Sequence, residues 1–315
     1  MENELTAFTE CVIDKPRKLT KKDLKKEFKH LGRAMIFNFV LQIVVAALLG
    51  AVIAQIAINS IHIDMNLLMI TTVMVTLFFA DTIPFFLCAH QLKIKIRTYF
   101  EKPALSLQEM IRWFFIIMAI VAVFNLLTTA LMSFFPDIQF QQSGLEGIET
   151  TNWTTLIFSF ITIAIIAPIF EEIAFRGLCL HVFNQYGTRF AIIASSMLFA
   201  LLHGNVIQGI FAFGLGILLS LITLKAKSIR PAIFIHFANN SIALIPSVWV
   251  IYALFAIFIL CGLILYFKNT SIFKLDEVVA DHRFCWDALM ATPSILIIVI
   301  LHILMIITTT IFWFI

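Results

Sequence analysis

Residues 153–180 read WTTLIFSFITIAIIAPIFEEIAFRGLCL. A helix crosses a bilayer with about 20 apolar residues, and this run is long enough to do so. It nevertheless carries Glu171, Glu172 and Arg176 close together near its end. Ionisable groups are costly in hydrocarbon, so they face a bundle interior and mark function by default. The run therefore predicts a membrane helix surrounded by other helices.

The rest of the 315-residue chain agrees, being 61% hydrophobic and 13% charged, with a mean hydropathy of +0.99. A soluble domain could not hide that much apolar surface. The expected fold class is all-α, a polytopic membrane helix bundle of about eight or nine transmembrane helices. Nine candidate spans fall near 34–58, 66–90, 111–135, 153–180, 190–203, 206–224, 231–245, 247–267 and 294–315, the fifth and seventh being short. The first 33 residues are charged and predict no cleavable leader. They form a basic N-terminal segment (1–33), followed by the membrane bundle (34–315). Cys11, Cys88, Cys179, Cys261 and Cys285 show no paired or metal-binding spacing and read as free thiols.

Basic residues sort the connections. Nine lie between Lys15 and Arg33; then come Lys93, Lys95, Arg97 and Lys102, then Arg189, then Lys225, Lys227 and Arg230, then Lys268, Lys274 and Arg283. The alternate connections, 59–65, 136–152, 204–205 and the join at Pro246, have none. By the positive-inside rule, this alternation puts the N-terminus in the cytosol and the C-terminus outside a cell membrane. The lysine-rich run at 18–30 also suits attraction to anionic lipid. The loop 139–150 is acidic and polar, and there is no internal repeat.

The ionisable residues left inside the spans are Asp81, Glu171, Glu172, Arg176, His203, His236 and His302. Glu172 and Arg176 are spaced i, i+4 and share a helix face, whereas Glu171 points about 100° away. Arg176 is therefore expected to balance Glu172, leaving Glu171 free. A purely structural ion network would need only one glutamate. Pro168 is expected to kink the helix one turn earlier and admit water. FALLHGN places Phe199 and His203 one turn apart, and PAIFIHFANNS does the same for His236 and Asn240. A carboxylate, two imidazoles and an amide can together activate water and hydrolyse an amide. His302 alone reads as a packing residue. Asp81, near Pro84, reads first as a locally bonded carboxylate at a kink, and second as a partner of Arg176 or a histidine.

These residues resemble the CAAX protease and bacteriocin-processing family of intramembrane glutamate endopeptidases. Its pattern of EExxxR, FxxxH and HxxxN is matched in order by EEIAFR, FALLH and HFANN, on separate spans. The resemblance covers about 110–245. It implies a membrane protease in which Glu171 activates water with support from His203. Glu172 and Arg176 form the supporting pair, and His236 and Asn240 stabilise the oxyanion; the two glutamates are able to exchange roles. No cofactor is expected. Zinc held by Glu171, Glu172, His203 and His236 is the runner-up, with no HExxH to support it.

The function expected is an intramembrane endopeptidase acting on peptides or proteins delivered by the lipid bilayer, with no nucleic-acid partner. The alternatives are a catalytically silent scaffold or immunity protein of the same fold, a zinc-dependent membrane protease, and a proton-coupled transporter using Asp81 and Glu171. Depth is the difficulty: Glu171 lies about 27 Å along its helix from Trp153, while His203 falls at the far end of a short span.

Overall fold

The computed structural model describes residues 21–58, 64–134, 152–268, 270, 272–274 and 282–311. Residues 1–20, with Cys11, and the acidic loop 139–150 lie outside them. The described residues form helices and no strand. The helices are α1 (Lys21–Ile58), α2 (Met65–Gln91), α3 (Leu107–Met132), α4 (Trp153–Asn184), α5 (Thr188–Leu201), α6 (Val206–Ala226), α7 (Arg230–Ala243), α8 (Val248–Phe267), α9 (His282–Met290) and α10 (Pro293–Ile311). A short 3-10 turn, Ile96–Phe100, precedes α3.

Six helices are long and apolar enough to cross a membrane: α1, α2, α3, α4, α6 and α8. A seventh span is possible if α9 and α10, bent by 75° at Pro293, count as one. The nine-span reading counted α5 and α7 separately. Each has 14 residues, or about 21 Å at ~1.5 Å per residue, short of a ~30 Å hydrocarbon core. Both pack against longer helices, α5 with most of its residues buried and α7 with one face buried and Phe234 exposed.

The helices begin where short polar side chains accept free backbone N–H groups. Ser106 and Glu109 form a reciprocal capping box at α3. Asp64 caps α2, Asn152 caps α4 and Asn205 caps α6. The Asn152 amide also donates to the Asp64 carboxylate at 3.2 Å, so α2 and α4 start together and run parallel.

Among the described residues, packing falls into two large apolar bodies and a smaller one around Tyr99, Ile173 and Ile229. The first joins α1, α2, α5, α9 and α10 around the second half of α4. Its start is Leu24, Phe28 and Leu31, so residues 21–33 of the basic segment are the opening turns of α1, packed into the core. There the Tyr186 hydroxyl donates to Glu27 at 2.6 Å. Burial, with that carboxylate beside it, pushes the pKa of Tyr186 up. The second body joins α3, α6, α7 and α8. Cys88, Cys179, Cys261 and Cys285 are not joined to one another by disulfides, and Cys285 Sγ donates to the Tyr186 carbonyl at 3.3 Å.

Lipid cannot drive helices together as water does, so close backbone approach matters in membrane bundles. Gly262 on α8 lies directly against Ala119 and the Phe115 carbonyl of α3, with a Cβ at 262 only 2.8 Å from that oxygen. Gly50 on α1 has nothing within 4 Å of such an atom. Gly262→Val is therefore expected to destabilise the bundle by about 2 kcal/mol through overpacking. Gly50→Val should leave the thermal midpoint in detergent unchanged.

Candidate active site

The backbone of α4 departs twice from a regular α-helix. Phe160–Ile166 and Ile173–Cys179 are π-helical, with i→i+5 bonds from Ala167 N–H to Thr162 and from Leu180 N–H to Phe175. Such segments widen a helix and re-aim its side chains. Between them stands a single α-helical stretch, Ala167–Glu172, opened by Pro168. In the register set by Ala167, the Ile163 carbonyl should receive the N–H of residue 168, and proline has none. Asn240 on α7 supplies the missing donor, its Nδ2 reaching Ile163 O at 2.9 Å. The kink expected at Pro168 thus takes the form of a widened turn just upstream, and the same defect ties α7 to α4.

Glu172 and Arg176 form the expected i, i+4 pair, with Nη1 3.1 Å from Oε1 and both side chains buried. The contact is ionic and off the hydrogen-bond axis. Arg176 Nη2 donates to the Gly216 carbonyl of α6 at 3.3 Å. Its guanidinium also lies over the Phe199 ring of α5, 4.4 Å from the centroid. A buried cation is tolerated when a counter-charge, an acceptor and an aromatic face surround it in this way. A Cβ on Gly216 would meet Ser196 at 3.0 Å, so the absence of a side chain there lets α5 and α6 close around the arginine.

His236 stands between the two glutamates. Its Nδ1–H donates to Glu172 Oε1 at 2.9 Å, and its Nε2 lies 3.7 Å from Glu171 Oε2. The first is a hydrogen bond, whereas the second is too long for one. The two glutamates therefore converge on one imidazole, although helical spacing turns them apart. Glu172 is fully buried, while the Glu171 side chain keeps 16% exposure. Among the described residues, no hydrogen bond holds Glu171.

His203 follows α5. Its Nδ1–H donates to the Phe199 carbonyl at 3.1 Å, which leaves Nε2 as an acceptor. The Phe199 ring meets His203 and His236 edge-on, at 4.9 and 5.9 Å between centroids. Phe199 is thus the common neighbour of Arg176, His203 and His236, a role that spacing alone had shown only toward His203. Among the described residues, no hydrogen bond or ion pair joins His203 directly to Glu171. Asn239 was not singled out from the sequence; its Nδ2 donates to Asn240 Oδ1 at 3.0 Å and orients that amide. Its place beside Asn240 in HFANN was the available signal.

Asp81 accepts from Asn38 Nδ2 at 2.6 Å and Gln42 Nε2 at 3.3 Å, both on α1. These bonds are structural, as expected first, but they are interhelical and not local to the Pro84 kink. His302 donates to Ile298 O and packs against Phe39, as a packing residue should. Among the described residues, no group of three or more His, Cys, Asp or Glu is placed to hold a metal ion.

The molecule is a multi-pass helical membrane protein whose inner helices gather two glutamates, an arginine and two histidines. Residues 152–242 match the family described as Type II CAAX prenyl endopeptidase Rce1-like, in agreement with the resemblance carried by the three motifs. The matched segment runs from the Asn152 cap through most of α7 and contains all six candidate residues. No curated protein and no solved structure matches the chain.

Arg176→Leu would leave Glu172 buried without its counter-charge, at an expected cost of about 3–5 kcal/mol. Thermal unfolding in detergent checks this. Arg176→Lys should recover only part of the loss, because an ammonium cannot both stack flat on Phe199 and serve Gly216.

Proposed function

We propose that the protein is an intramembrane endopeptidase in which Glu171 activates water to cut peptides or proteins held at the membrane. One observation carries the reading: of two adjacent glutamates, Glu172 is buried and occupied by Arg176 and His236, while Glu171 is partly exposed and held by no hydrogen bond among the described residues.

Glu171 takes a proton from water as the water oxygen bonds to the scissile carbonyl carbon, moving the C=O electron pair onto oxygen. His203 Nε2, left as an acceptor, receives the other water hydrogen bond and turns a lone pair toward the carbon. The second amide hydrogen of Asn240 is available to the oxyanion, since its first is spent on Ile163. When the carbon–nitrogen bond breaks, Glu171 returns its proton to the amine nitrogen, acting as base and then as acid. Glu172 holds the His236 ring through Nδ1, so the Nε2 edge faces Glu171 and bounds the space in which its carboxylate meets the water. The mechanism needs no metal, and zinc on the same residues is the competing proposal.

On this reading the N-terminus lies in the cytosol and the substrate arrives from the bilayer. The family name suggests a lipid-modified protein as one substrate class. A silent scaffold of the same fold predicts no cleavage by the wild type.

The test compares membrane peptides from cells expressing wild type and Glu171→Gln at equal levels. Cleavage products are expected with the wild type only, with a loss of at least about 10³-fold in the variant, as for removal of an essential catalytic group. Identical peptide sets would sink the protease reading. Activity of purified protein should survive chelators without stoichiometric zinc; inhibition reversed by added zinc would favour the metal alternative.

A further inference from the structure

A buried carboxylate that this chemistry does not use lies on the helix beside that of the base. The parallel helices α2 and α4 are pinned by two ring contacts, Phe78 with Phe170 at 5.7 Å and Phe85 with Phe175 at 5.8 Å. On α2, Asp81 lies between Phe78 and Phe85, and on α4 Glu171 lies between Phe170 and Phe175, so the two carboxylates fall within the same contact stretch of adjacent helices. The titratable and charged groups that face Glu171 are the His236 imidazole of α7, Asp81 of α2, and Glu172 and Arg176 of its own helix.

Asp81 and Glu171 differ in how they are held. Two amide N–H donors from α1 converge on one oxygen of Asp81. The more important, Asn38, is fully buried and also donates to the Ala80 carbonyl at 2.9 Å. That carbonyl is the acceptor orphaned by Pro84, four residues on, which has no N–H to return to it. Asn38 therefore has two reasons to stay, and Asp81 stays with it. Glu171 has no comparable tether. Like charges repel far more strongly in a bundle interior than in water, and when one is clamped the other turns away.

We propose that Asp81 is a positioning residue for Glu171: clamped by Asn38 and Gln42, its carboxylate turns Glu171 toward His236 and the water it activates. The proposal rests on the reading of Glu171 as the base. It gives α1 and α2, which lie outside the family match, a part in the reaction. The His236 ring stands 3.7 Å from the Glu171 carboxylate on one side and the Asp81 charge repels it from the other, so the base is aimed without being hydrogen-bonded into uselessness.

The test uses the full-length protein in lipid nanodiscs and a quenched-fluorescent peptide carrying a cleavage site found by the membrane-peptide comparison. Asp81→Asn keeps the shape and both accepted hydrogen bonds but removes the charge, whereas Asp81→Glu keeps the charge and strains the shape. The expected order of kcat, per folded molecule, is wild type, then Asp81→Glu, then Asp81→Asn, the last reduced about 10-fold or more with KM within about twofold. A merely structural Asp81 predicts the reverse order of the two variants, and that order overturns the proposal. If neither variant folds, Gln42→Leu loosens one tether only. It should lower kcat without moving KM, and unchanged kcat in that folded variant would also overturn the proposal. A wild type that yields no cleavage product at all removes the protease reading, and this inference with it; cleavage with the wrong variant order removes this inference alone.

Discussion

A guanidinium inside an apolar bundle must be fully surrounded or it will not stay there. Arg176 is surrounded by parts drawn from three helices: the Glu172 carboxylate of α4, the Phe199 ring of α5 and the Gly216 carbonyl of α6. The short α5 cannot span a membrane, and its place deep in the bundle is fixed by what it packs against. The Glu172 that balances the arginine also holds His236 of α7. One ion pair thus sets the relative positions of four helices, and the adjacent Glu171 is left over at their meeting point.

Proline supplies the second organising constraint. Pro84 and Pro168 each leave a carbonyl without its helical donor, and in each case an asparagine from a neighbouring helix answers: Asn38 at Ala80 and Asn240 at Ile163. Proline persists in membrane helices because neighbours can re-satisfy the freed backbone in this way. Each repair also fixes the asparagine amide that makes it. Asn38 goes on to bind Asp81, and Asn240 is steadied by Asn239 with one amide hydrogen to spare. The irregularities of the backbone and the polar groups of the candidate site are therefore the same feature.

Much of this was legible beforehand. The all-helical membrane class followed from composition, and the Glu172–Arg176 pair followed from helical spacing, because i, i+4 partners meet on any helix whatever surrounds it. The number of spans was less legible. Hydropathy reads 190–203 and 231–245 as spans, but the helices there have 14 residues each and pack against longer ones, which a one-dimensional window does not distinguish from a short span. Pro168 announced a distortion without its form, since whether a helix kinks or widens depends on which neighbour donates to the freed carbonyl.

What the sequence determined by itself was local: which residues are too polar for lipid, which pairs share a helix face, and which order of motifs the chain carries. Only the tertiary structure decided that His236 bridges both glutamates, that Phe199 joins the arginine to both histidines, and that His203 approaches through Phe199 and not by a direct bond to Glu171. The reason is physical. Spacing along a helix sets the angle of a side chain, but its partners come from helices tens of residues away, and their depth and rotation are set by packing around a charge that cannot be left bare.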